Sequence, residues 1–174
     1  MRYEKTLVLL AIALAAIRPA AAQNPPAEAL VVTAQNLMAG DARHQAWVAK
    51  GGAADDVLPG DVIRYTLRFT NTQEQAVQNV VFSNPVPQGL RYVPESATAD
   101  APDVAITYSI DGGRTYSAQP MIEVVENGER RNVPAPARMY THVRWTVEGW
   151  IQPRGQVTAE FRAELPEPGA EQDR

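Results

Sequence analysis

Nucleophiles, bases and metal ligands are scarce in this sequence, and their spacing argues against most enzyme chemistry. It holds two histidines, His44 and His142, and no cysteine. Without Cys there is no disulfide, no thiol nucleophile and no thiolate-held metal. A Ser–His–Asp site needs a histidine oriented by a carboxylate. No G-x-S-x-G elbow presents a serine here, and His142 falls on the wet face of its strand. Asp55, Asp56 and Asp61, with the Gly51-Gly52 carbonyls, are hard oxygens of the kind Ca²⁺ takes, but they lack D-x-D-x-D spacing and read as a solvated loop. Spacing alone leaves open a carboxylate pair for glycoside hydrolysis. Glu123, Glu148 and Glu160, however, fall where ordinary exposed strand faces are expected. Lys50 is flanked by glycine and reads as exposed, unlike the buried lysine an isopeptide cross-link requires.

Two further patterns involve contact rather than reaction. Ser109, Asp111, Gly113 and Thr115 follow the spacing S-x-D-x-G-x-T, closed by an aromatic residue, Tyr116. Their physical reading is a structural turn in which the carboxylate and hydroxyls bond the turn amides. The same box marks the blades of sialidase-like propellers, but it occurs once here and a propeller needs about four blades or more. Among the aromatics, Trp150, Tyr140 and Trp47 are the candidate binding residues. Trp145 lies on an apolar strand face and is expected in the core.

The elements that must position these residues are strands. Ile63, Tyr65, Leu67 and Phe69 alternate with Arg64, Thr66, Arg68 and Thr70, the period of a strand with one buried face. Val104 to Ile110, Met139 to Val147 and Val157 to Leu165 alternate likewise. Val77 to Phe82, Leu90 to Val93 and Met121 to Val125 read as further strands, and Gln45 to Ala49 as a short one. Asp111-Gly112-Gly113 and Asn127-Gly128 signal tight turns. Strands with one wet face and no helical period predict an all-β, antiparallel sandwich spanning residues 57–165. Residues 23–56 are expected to add one or two strands, or to donate one to a neighbour, and 166–174 to form a disordered tail.

The start of the chain reads differently. Residues 1–22 combine a slightly basic start, an apolar run from Leu7 to Ile17 and Ala20-Ala21-Ala22 before Gln23. That is the layout of a secretory signal peptide, and the apolar run is shorter than the roughly 20 residues that span a bilayer. Without it the formal charge moves from −4 to −6, and no basic block remains to follow nucleic-acid phosphates.

Three segments also resemble a family. Gly60-Asp61, Tyr65 and Asn71 match the opening of the bacterial conserved-repeat surface domain, catalogued as domain of unknown function 11. Val80 to Val93, with Asn84-Pro85-Val86-Pro87-Gln88-Gly89-Leu90, is similar to its middle motif, though the family has Asp and Leu at Asn84 and Val86. Val143-Arg144-Trp145-Thr146-Val147, Pro153 to Gln156 and the strand to Leu165 resemble its close. The resemblance implies an Ig-like sandwich at a bacterial surface; the family is usually tandem and wall-attached, whereas one copy is read here.

The expected function is therefore non-catalytic. The chain reads as an exported module, periplasmic or at the cell surface, that contacts another envelope or surface protein. A carbohydrate-binding module is the alternative, with glycan as partner, and a hydrolase ranks last. No cofactor, metal or nucleic acid is expected.

Overall fold

Alternating side chains and prolines decide where the strands begin and end. The computed structural model describes residues 29–169; the leader read over 1–22 and the last residues of the expected tail lie outside them. The strands are β1 (Leu30–Asn36), β2 (Val62–Thr70), β3 (Val80–Pro85), β4 (Arg91–Tyr92), β5 (Thr98–Ala99), β6 (Val104–Ser109), β7 (Met121–Glu126), β8 (Glu129–Pro134), β9 (His142–Val147) and β10 (Gln156–Glu164). One helix, α1, covers Ala42–Ala49, and a 3₁₀ turn covers Ala137–Met139. Among the described residues no helix is long and apolar enough to cross a membrane.

Every pairing is antiparallel. One sheet runs β1-β2-β10-β4, with β5 also on β10; the second runs β3-β9-β6, and β7-β8 is a separate hairpin. Alternation along β2 and β10 turns Leu67, Val157, Ala159, Phe161 and Ala163 inward to meet Phe82, Val143, Trp145 and Val147. The chain is an all-β antiparallel sandwich. Aromatic stacking shows how its layers align. β3 sits over β2 through Phe69 and Phe82 (6.3 Å), and β9 over β10 through Trp145 and Phe161 (6.1 Å). β6 sits over β4 through Tyr108 and Tyr92 (5.3 Å). Trp145 is fully buried and donates from Nε1 to the Thr98 carbonyl at 3.0 Å, so its one polar atom costs nothing to bury.

Three expectations need correction. Gln45 to Ala49 belongs to α1, not to a strand. Asp41 accepts from the His44 backbone N–H and caps the helix start, and Gly51, at φ 95°, closes it. Met139 leaves the β9 face for the 3₁₀ turn, because Pro134 and Pro136 interrupt the strand before it can form. Asp61 is not part of a solvated loop, because it is fully buried. Within the first segment, β1 pairs with β2 over seven residues, from Leu30 opposite Phe69 to Asn36 opposite Ile63.

Candidate functional site

The second sheet stops one strand short. β1 pairs with β2 and with no other strand among the described residues. The phase of its hydrogen bonds follows from its ends, where Thr70 N donates to Ala29 O and Leu37 N donates to Val62 O. In an antiparallel ladder every second residue bonds a given neighbour. Val31, Thr33 and Gln35 therefore face β2. Leu30, Val32, Ala34 and Asn36 turn their N–H and C=O groups outward.

Sheet edges are normally blunted by proline, charge or brevity. The other edges here are shorter than β1, and each is blunted or partly covered; β6 also lacks charge and proline, but a bridge occupies part of it. β3 ends in Pro85, β4 and β5 are two residues each, and Ser117 bridges Tyr108 on β6. The β7-β8 hairpin carries Glu123, Glu126, Arg130 and Arg131, which pair as Arg130–Glu123 (3.0 Å) and Arg131–Glu126 (2.8 Å). β1 has no charge and no proline along its length, and its Val31 and Val32 are 43% and 46% exposed. Beside its far end, Ala34, Asn36, Ile63, Tyr65, Val57 and Leu90 line a groove of ≈ 640 Å³.

A buried polar cluster fixes that end. Asp61 accepts from Leu58 N (2.9 Å) and from Asn36 Nδ2 (2.7 Å). It also meets Arg43 Nη2 (2.8 Å) and His44 Nε2 (3.0 Å). His44, only 2% exposed, turns Nδ1 to Asp41 Oδ1 at 3.1 Å. The cluster ties the end of β1, the start of α1 and the entry to β2 into one unit. Burial pushes the Asp61 carboxyl up, but Leu58 N–H, Asn36, His44 and Arg43 outweigh it and hold the group below the usual carboxylate range. The His44 amide and ring hold Asp41 at about 2. The bond to Asp41 raises His44 against its own desolvation, with the Asp61 charge adding to the effect. With both ring nitrogens against carboxylates, His44 acts as an anchor and has no nitrogen left to take a substrate proton.

The residues singled out from the sequence do not converge. Trp150, 65% exposed, stands in the β9-β10 connection beside a shallow recess of ≈ 260 Å³ that includes Ala101 and Pro102. Trp47 is on α1 and donates from Nε1 to Asp56 Oδ2 at 2.7 Å. Tyr140 is half-buried against Tyr108 (4.7 Å) and Tyr92 (5.5 Å), which leaves little of its ring for a ligand. None of the three touches another. Asp55 is exposed, Asp56 is taken by Trp47 and the Ala53 N–H, and Asp61 by its cluster. Among the described residues no three His, Asp or Glu side chains are grouped to hold a metal. Glu160 accepts from Thr66 across the sheet at 2.9 Å.

The Ser109–Thr115 segment closes on itself. Ser109 Oγ donates to Asp111 Oδ1 (2.7 Å), which also accepts from Arg114 N and Thr115 N, while Thr115 Oγ1 donates to Asp111 Oδ2 (2.6 Å). Gly113, at φ 84°, donates its N–H to Ser109 Oγ. Bonds from Thr115 above all, then Ser109 and Arg114, hold the Asp111 carboxyl far below its usual range.

No family model, curated protein or solved structure matches the chain. Sequence reasoning missed the His44–Asp61 cluster. The one local signal for the cluster was Asp41 three residues before His44, the spacing of a helix cap.

Proposed function

We propose that this chain is a non-catalytic module of the bacterial envelope or surface, exported by its leader, that works by binding protein along the free edge of β1. One observation carries the reading: β1 is the longest open edge among the described strands, and it carries neither charge nor proline. Addition of a strand to such an edge gives affinity through backbone bonds, and the adjoining groove offers side-chain pockets. The occupied nitrogens of His44 and the self-contained Asp111 turn support a role without catalysis. The three motifs shared with the conserved-repeat surface domain support the location.

The test is site-specific photo-crosslinking in producing cells, combined with fractionation. A crosslinker at Gln35 on β1 is expected to trap a protein adduct in the envelope fraction, and one at Ser83 on β3 is not. Recovery of the chain in the cytoplasm, or equal trapping from both positions, refutes the reading.

Trp150 favours a second reading, because its indole stands exposed beside an apolar recess, the form of a sugar-stacking platform. Glycan-array binding that is lost in Trp150→Ala would support it.

A further inference from the structure

Resting on that reading of β1, we propose that the strand it accepts is β1 of a second copy, paired antiparallel about a two-fold axis at Thr33. A two-fold contact is self-complementary, so every residue meets a residue of the same strand. Any charge near the centre would then confront its own kind. In a chain with 21% charged residues, β1 presents Leu30-Val31-Val32-Thr33-Ala34-Gln35-Asn36, with none.

The hydrogen-bond phase fits the same axis. With Thr33 opposite Thr33, Leu30 meets Asn36 and Val32 meets Ala34. These are the four residues whose backbone groups point outward, so each outward N–H finds an outward carbonyl. An axis on Thr33 also makes that pair the closely spaced, non-hydrogen-bonded kind, in which facing threonines pack well. On the inner face Val32, exposed in the single chain, gains Ala34 of the other copy as its neighbour. Because the axis is normal to the sheet, the two apolar inner faces stay on one side and the sheets continue as one.

The chain has no native cysteine, so the register can be read directly. The full chain is examined by light scattering from micromolar to near-millimolar concentration, with Thr33→Cys, Gln35→Cys and Ser83→Cys oxidised in parallel. Dimer mass is expected, and Thr33→Cys should form a disulfide-linked dimer about tenfold faster than either control, through proximity. Ala34→Pro removes only an outward N–H, and Thr33→Lys sets charge against charge. Both should be monomeric with unchanged far-UV dichroism. A monomer at every concentration, a dimer that survives both variants, or Thr33→Cys no faster than Ser83→Cys overturns the proposal. If the chain is monomeric while Gln35 still traps a different protein in cells, the self-pairing falls and the β1 contact reading stands. If Gln35 traps nothing, both fall.

Discussion

Asn71 is the most informative position for stability. It is 1% exposed, and its amide closes the loop after β2. Nδ2 donates to the carbonyls of Gln75 (2.8 Å) and Ile151 (2.9 Å), and Oδ1 accepts from Gln73 N (3.0 Å). This arrangement fixes the amide orientation, since the flipped form would set oxygen against two carbonyls. Asn71→Ala removes three bonds at about 1 kcal/mol each, or about 3 kcal/mol in all. The Ile151 carbonyl keeps Val77 N as a donor, which holds the loss near that figure. For a chain of this size the melting temperature should fall by about 6–12 °C. Asn71→Asp is the sharper test. Its carboxylate faces the two carbonyls without a proton to give, so its folded-state pKa is raised. The penalty is then present above the ordinary carboxylate range and relieved below it. Urea unfolding followed by tryptophan fluorescence, read against wild type from neutral pH to about pH 4, should show Asn71→Asp worse than Asn71→Ala at neutrality and converging on acidification. A loss below about 0.5 kcal/mol for Asn71→Ala, or parallel pH profiles for the two variants, would refute the reasoning.

Trp145→Ala should cost about 3–5 kcal/mol by emptying the core, whereas Trp150→Ala should stay within about 0.5 kcal/mol; equal effects in chemical denaturation would contradict the burial described. His44 has a folded pKa raised above 6.5, so its contribution is complete below that value and is lost as pH rises through the folded one. The stability gap between wild type and His44→Asn should therefore shrink as pH rises above 6.5, and amide exchange in residues 41–61 should quicken with it. Asp111 and Asp41 are lowered below 3.8, so their contributions hold above that value and are lost as pH falls below it. Asp111→Ala should flatten the acid limb of the stability profile, which an acid titration by circular dichroism measures.

The parts of the fold that were legible in the sequence are those set by local period. β2, β6, the core of β9 and β10 follow from alternation, and the Asn127-Gly128 turn from the two positive φ angles it adopts, 55° and 84°. Trp145 was placed in the core because its face reads apolar. What was not legible depends on distant partners. Ala29 to Ala34 reads as a candidate strand, but its extension to Asn36 and its position at an edge follow from pairing with residues 63–69. Asp61 looks like one of several loop aspartates until Asn36, Arg43 and His44 are folded around it. α1 was missed because eight residues give too little period, and its cap lies in a segment without a clear pattern. Tyr140 reads as an outward strand residue, yet the prolines before it swing it onto Tyr108 and Tyr92.

The order of strands has a consequence for how the protein comes into being. β10 lies in the middle of its sheet, bonded to β2 on one side and to β4 and β5 on the other, and Thr66 reaches Glu160 across 94 residues. The central plank is thus also the last of the described strands to be synthesised. Until the ribosome has delivered it, β2 and β9 have no Phe161 or Ala159 to close upon, although β1-β2 and β7-β8 can pair from nearby stretches of chain. Closing so long a loop is slow, and it comes before the contacts that reward it. The sandwich of a nascent chain of this kind stays open until β10 emerges, with its apolar strand faces uncovered for all that time.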